Sequence, residues 1–152
     1  ALKRIGTYVG QPARFSNLQD GADALWTVCA SFGPHTTEEW FELSRHMFVE
    51  RSGHFEYHYD PAIALAFKGF DVPDATEMVA QGNQVLWAAY DAIRAPTLVI
   101  RGEASDLLTR ETLSAMAQRG PKAQTVTFKD VGHAPTLVAP SQQLVVVDFL
   151  LT

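Results

Sequence analysis

Pro96-Thr97-Leu98-Val99-Ile100-Arg101-Gly102-Glu103-Ala104-Ser105-Asp106, with its partner Val131-Gly132-His133-Ala134-Pro135-Thr136-Leu137 further on, decides how this chain is read. Thr97 to Arg101 is a short apolar run of the kind that forms a strand buried on both faces of a parallel sheet. Ala95-Pro96 opens it, because proline disfavours the α conformation in the residue before it. The spacing predicts a helix over about 109–119, stopped at Gly120-Pro121, then a strand Gln124–Phe128, then a closing helix Pro140–Leu151 carrying Leu144, Val145, Phe149 and Leu150. Strand, crossover helix, strand, helix implies a parallel α/β sheet with right-handed crossovers.

Ligands of open parallel sheets bind just beyond the carboxyl ends of the strands, where loops vary on a rigid base. Asp106 and His133 both have that address, and they stand 27 residues apart, about one crossover. A carboxylate there can accept a hydrogen bond from one imidazole nitrogen and fix the tautomer, while the other nitrogen takes a proton from a nucleophile. Glu103 shares the loop and is the alternative acid. Asp130 reads as a turn residue before Val131-Gly132.

Toward the N-terminus the period changes to that of helices. Leu18, Ala22, Leu25, Trp26, Cys29 and Phe32 recur three or four apart on one helix face that ends at Gly33-Pro34. Thr36 and Glu39 have the spacing of a capping box, and Trp40, Phe41, Met47 and Phe48 continue a second amphipathic helix that Ser52-Gly53 is expected to end. His54 to Tyr59 alternates like an extended segment, Asp60-Pro61 can cap a short helix through Phe67, Pro73 opens another ending near Gly82, and Val85, Leu86, Ala89, Tyr90 and Ile93 mark the helix after it. Trp26, Trp40, Phe41, Phe48, Tyr57 and Trp87 read as core aromatics, with substrate contact the alternative for each.

Composition excludes several classes. With 152 residues, 47% of them hydrophobic, the chain can bury a core of one domain or somewhat more. A net charge of −5, with scattered basic residues, offers no footprint for nucleic acid or for an anionic membrane, so the expected partner is a small-molecule substrate. The single Cys29, on an apolar helix face, reads as an inert buried thiol, and it suits a reducing, cytoplasmic compartment. His54 and His58 share a face of an extended segment, but no third ligand accompanies them at a metal-binding spacing, so no metal and no cofactor is expected. His35 reads as a loop residue and His46 as a helix-surface residue. The start, Ala1-Leu2-Lys3-Arg4-Ile5-Gly6, has neither an initiator Met nor a signal-peptide core and reads as a trimmed end.

The 96–106 and 131–137 segments, with the final Phe149-Leu150, resemble the last two strands and last helix of the α/β-hydrolase fold. The Gly-x-x-Ser-Asp and Gly-His-x-Pro motifs carry the resemblance together, and it is firm over about residues 83–152. It implies a connection over 1–10, a helical cap or lid over 11–80, and the C-terminal part of the hydrolase core over 81–152. It further implies that Asp106 is the acid and His133 the base of a catalytic triad, with the cap closing over a substrate pocket.

The family's nucleophile sits on a Gly-x-Ser-x-Gly elbow between strand and helix. None of the seven serines, Ser16, Ser31, Ser44, Ser52, Ser105, Ser114 and Ser141, has that setting, and Ser105 adjoins the acid. The elbow, the oxyanion loop and the first six strands are therefore expected before Ala1, in a missing N-terminal half with which the chain makes an extensive interface, unless another copy of the chain covers it. The resemblance implies a serine-type hydrolase of a small ester or related acyl compound, with the isolated chain inactive. Epoxide hydrolases, dehalogenases and carbon–carbon bond hydrolases share the fold and stay open as alternatives. So does a chain without catalytic activity that acts as a lid or assembly module.

Overall fold

The computed structural model describes residues 8–65 and 76–152. The chain divides into two compact units, one made of residues 1–30 and 34–73, the other of residues 31–33 and 74–152.

In the first unit, helix α1 (Leu18–Cys29) starts on Asn17, whose side chain accepts the Asp20 N–H at 2.9 Å, and it buries Gly21, Ala22, Leu25 and Cys29 at helical spacing. Helix α2 (Thr37–Ser44) starts on the expected capping box: Thr36 accepts the Glu39 N–H at 3.1 Å while the Glu39 carboxylate accepts the Thr36 N–H at 2.8 Å. The indole N–H of buried Trp40 donates to the Ala22 carbonyl at 2.8 Å and locks the two helices together.

The second helix is shorter than its apolar spacing suggests. A 3-10 turn, Arg45–Met47, ends it, and Phe48–Arg51 is strand β1, paired antiparallel with β2 (His54–Tyr57) in the register Phe48↔Tyr57 to Arg51↔His54. Ser52-Gly53 is the two-residue turn of this hairpin, both residues at positive φ (51° and 77°), the geometry that matches the twist of the flanking strands. An isolated antiparallel bridge joins Phe15 to Phe55. Phe15, Phe48 and Tyr57 pack with ring centroids 5.3–5.7 Å apart, and the Phe48 ring approaches Gly21 so closely that a Cβ there would lie 2.9 Å from it. Residues 61–65 form the start of the short helix expected after Asp60, whose carboxylate accepts the Ala62 N–H at 2.8 Å. The remainder of that helix and the helix start at Pro73 lie outside the described residues.

In the second unit, helix α3 (Thr76–Asp91) runs unbroken through Gly82, where two helices were expected. Gly82 is not in the left-handed conformation that ends a helix, and a Cβ there would meet nothing, so it is an exposed interior glycine costing about 1 kcal/mol. Strand β3 (Leu98–Gly102), helix α4 (Arg110–Gln118), strand β4 (Gln124–Phe128) and helix α5 (Pro140–Leu151) follow as the sequence predicts. β3 and β4 pair in parallel, from Leu98↔Gln124 to Gly102↔Phe128. Thr109 caps α4, accepting the Thr112 N–H at 3.1 Å, and Gly120 at φ 55° follows its C-terminal end.

Tyr90 Oη donates to the Met116 carbonyl at 2.8 Å, and Arg119 Nε donates to Asp91 Oδ1 at 2.7 Å while its guanidinium lies 4.3 Å from the Trp87 ring centre, which fastens α3 to α4. Leu86, Leu144 and Leu150 remain 69%, 60% and 72% exposed, so these apolar positions of α3 and α5 are not covered by the described residues. Among the described residues no helix is long and apolar enough to cross a membrane.

Candidate active site

The paired strand ends are drawn together by backbone contacts. Beyond β3 the Glu103 N–H donates to the Phe128 carbonyl at 2.8 Å and the Ala104 N–H to the Val131 carbonyl at 2.9 Å. On the far side of the 131–132 segment, the Gly132 N–H donates to the Ser31 carbonyl at 2.6 Å. A Cβ on Gly102 would lie 1.8 Å from the Gly132 oxygen, and one on Gly132 would lie 2.4 Å from the Ser31 oxygen. Only glycine permits both approaches. This stack puts the loop that carries Asp106 against the residue before His133.

Arg101 then shapes the loop. It stands one residue before the end of β3 and is 5% exposed, yet its Nε donates to the Leu108 carbonyl at 2.7 Å and its Nη2 to the Ser105 carbonyl at 3.4 Å. Nη1 is buried and has no hydrogen-bond partner among the described residues. A buried cation that holds two carbonyls of one loop fixes that loop more tightly than neutral donors would.

Ser105 makes the loop's contact with the histidine. Its N–H donates to the Gly102 carbonyl at 3.0 Å, its Oγ accepts the Leu108 N–H at 3.0 Å and the Leu107 N–H at 3.4 Å, and the same oxygen lies 3.1 Å from His133 Nδ1. Asp106 follows directly, exposed, in the turn that leads toward α4. The loops of the two expected triad positions thus share one edge of the sheet, and Ser105 places its hydroxyl within hydrogen-bond distance of the imidazole. Glu103, the alternative acid, is exposed, with its carboxylate 3.9 Å from Arg110 Nη2. Asp130 occupies the turn after β4 at φ 58°.

Sequence reasoning missed Arg101 and the part taken by Ser105. A lone arginine near the end of an otherwise apolar strand was the available signal for the first. For the second, a serine beside a loop aspartate can accept backbone N–H groups in a turn, a role distinct from nucleophile.

Other singled-out residues lie elsewhere. Cys29 is buried in α1, and burial pushes its thiol pKa up, against the thiolate that reactivity needs. His54 Nε2 lies 3.8 Å from Glu56, and among the described residues no group of three or more His, Cys, Asp or Glu side chains is placed to hold a metal. His35 belongs to an aromatic cluster, its ring edge-on to Trp26 and Trp40, and these three help to line an open cleft of about 340 Å³. A larger open cleft, about 610 Å³, is lined by first-unit residues that include Arg14, Arg51, Tyr57 and Tyr59. Neither cleft is lined by Asp106 or His133.

No protein-family model matches the sequence. An α/β hydrolase from Novosphingobium aromaticivorans, in its crystal structure, superimposes on 98% of the chain with a TM-score of 0.77 and 32% identity. The chain has the α/β-hydrolase fold. In sequence, a 3-hydroxybutyrate-oligomer hydrolase from Cupriavidus necator is 43% identical over 146 residues, which are 93% of this chain and 48% of that protein. E-2-(acetamidomethylene)succinate hydrolase, at 17% identity and a TM-score of 0.73 over 99% of the chain, shares the fold. The chain spans about half the length of the relatives it matches and corresponds to the C-terminal portion of the α/β-hydrolase fold.

Proposed function

We propose that this chain supplies the acid and the histidine of a serine-type α/β-hydrolase triad, and that the substrate is a short ester oligomer of small hydroxy acids. The carrying observation is the glycine-sealed stack that brings the Asp106 loop onto the His133 segment at the strand ends. The 43% identity to a 3-hydroxybutyrate-oligomer hydrolase supports the substrate class. The nucleophile belongs to residues outside this sequence, since no serine here lies between glycines two residues to either side.

In this reading His133 takes the serine proton on Nε2 as the hydroxyl attacks the ester carbonyl. It then delivers that proton to the leaving alkoxide as the acyl-enzyme forms, and water repeats the two steps in deacylation. Asp106 accepts the Nδ1–H of His133 and stabilises the imidazolium that develops. Residues 11–80 act as the cap. The partner is the N-terminal half of the same hydrolase.

The test is ester hydrolysis by the full-length protein, measured as acid released from the linear dimer and trimer of 3-hydroxybutyrate. His133→Ala and Asp106→Asn are each expected to lower kcat by at least about a thousandfold. Activity within tenfold of the parent in His133→Ala would end this reading.

A further inference from the structure

We infer that Ser105 is a positioning residue for His133: its hydroxyl engages Nδ1 in the substrate-free protein and holds the imidazole with its proton on Nε2. The inference rests on the hydrolase reading only for its catalytic meaning. Its structural content stands on the hydrogen bonds of one oxygen.

A hydroxyl offers two acceptor lone pairs and one donated proton. The Leu108 N–H at 3.0 Å and the Leu107 N–H at 3.4 Å use the two lone pairs of Ser105 Oγ. What remains is the proton, and the group at 3.1 Å is His133 Nδ1. The hydroxyl therefore donates and Nδ1 accepts, and a neutral imidazole that accepts at Nδ1 carries its hydrogen on Nε2. In that form Nε2 has no lone pair with which to take a proton from a nucleophile.

The working base is the other tautomer, with Nδ1–H directed at a carboxylate. Asp106 is the next residue in the same turn. Ser105 and Asp106 are thus adjacent alternatives for one ring nitrogen, the first favouring a resting form and the second the competent form. The bond between the Ser105 N–H and the Gly102 carbonyl, with the Arg101 guanidinium on the Ser105 carbonyl, holds the serine backbone in place, so the choice is made by His133 and Asp106 moving relative to a fixed hydroxyl.

The experiment uses full-length protein labelled with ¹⁵N in its histidines, His133→Ala assigning the His133 signals by difference. At a pH where His133 is neutral, the parent is expected to show Nε2–H and Ser105→Thr, which keeps the hydroxyl, the same. Ser105→Asp keeps acceptors for the Leu107 and Leu108 N–H groups but cannot donate. It is expected to convert His133 to Nδ1–H and to move the acid limb of the kcat/KM profile up by about one pH unit, since a carboxylate beside the ring favours imidazolium. Nδ1–H in the parent, or Nε2–H retained in Ser105→Asp, overturns the inference. The hydrolase reading fails separately, if His133→Ala keeps its activity whatever the tautomer signals show.

Discussion

Gly102→Ala tests how much of the site depends on backbone contact. The methyl carbon would be built 1.8 Å from the Gly132 oxygen and 2.5 Å from the Val131 oxygen, both main-chain atoms with no side-chain torsion to relieve them. Carbon and oxygen in close contact sit about 3.3 Å apart, so the β3 end and the 131–132 segment must part by roughly 1.5 Å. Inserting a methyl group into a packed site costs about 1–3 kcal/mol or more. The displacement also breaks the alignment of the Ala104 N–H with the Val131 carbonyl. Misplacement of catalytic groups by about 1 Å lowers turnover by on the order of a hundredfold. We therefore expect Gly102→Ala to lower the urea midpoint of the full-length protein and, under conditions where it remains folded by circular dichroism, to lower kcat for the proposed substrate, 3-hydroxybutyrate dimer, by about a hundredfold or more. A folded Gly102→Ala protein with parental stability and parental kcat would refute the placement of Asp106 and His133 by the glycine stack.

Two further expectations concern parts away from the chemistry. Trp40→Phe removes the buried indole N–H from the Ala22 carbonyl and should destabilise the α1–α2 pair by about 1–2 kcal/mol; an unchanged urea midpoint would show that this bond adds nothing to the packing. Arg119, chiefly by hydrogen bonding, holds the Asp91 carboxyl below its usual pKa, so its contribution is present above the ordinary carboxylate range and disappears as pH falls through the lowered folded value. Urea midpoints compared at neutral pH and below about pH 4 should fall more for the parent than for Asp91→Asn, and an equal fall in both would remove this pair as an acid-sensitive tie.

The strands and helices after residue 96 were legible because each obeys one local rule: an apolar run broken by proline, a threonine cap, a glycine stop. The positions of Asp106 and His133, in the loops just beyond such runs, were legible for the same reason. Ser52-Gly53 misled because the same pair that stops a helix also makes a hairpin turn, and only the pairing of Phe48 with Tyr57 decides between them. Gly82 misled in the opposite sense, as a glycine in an exposed helix interior with no turn to make. The closeness of Gly102 to Gly132 and of Ser105 to His133 joins residues about thirty positions apart, and no local pattern records such distances.

The Arg101 clamp has a consequence for the medium in which the protein works. Its guanidinium is out of water and bonded to carbonyls of a single loop, so dissolved ions scarcely screen it. Surface pairs such as Arg45 with Glu42 and Arg51 with Glu56 weaken as ionic strength rises. The setting of the loop that bears Asp106 is thereby decoupled from salt, and concentrated electrolyte loosens the outer charge pairs before it disturbs the strand-end loop.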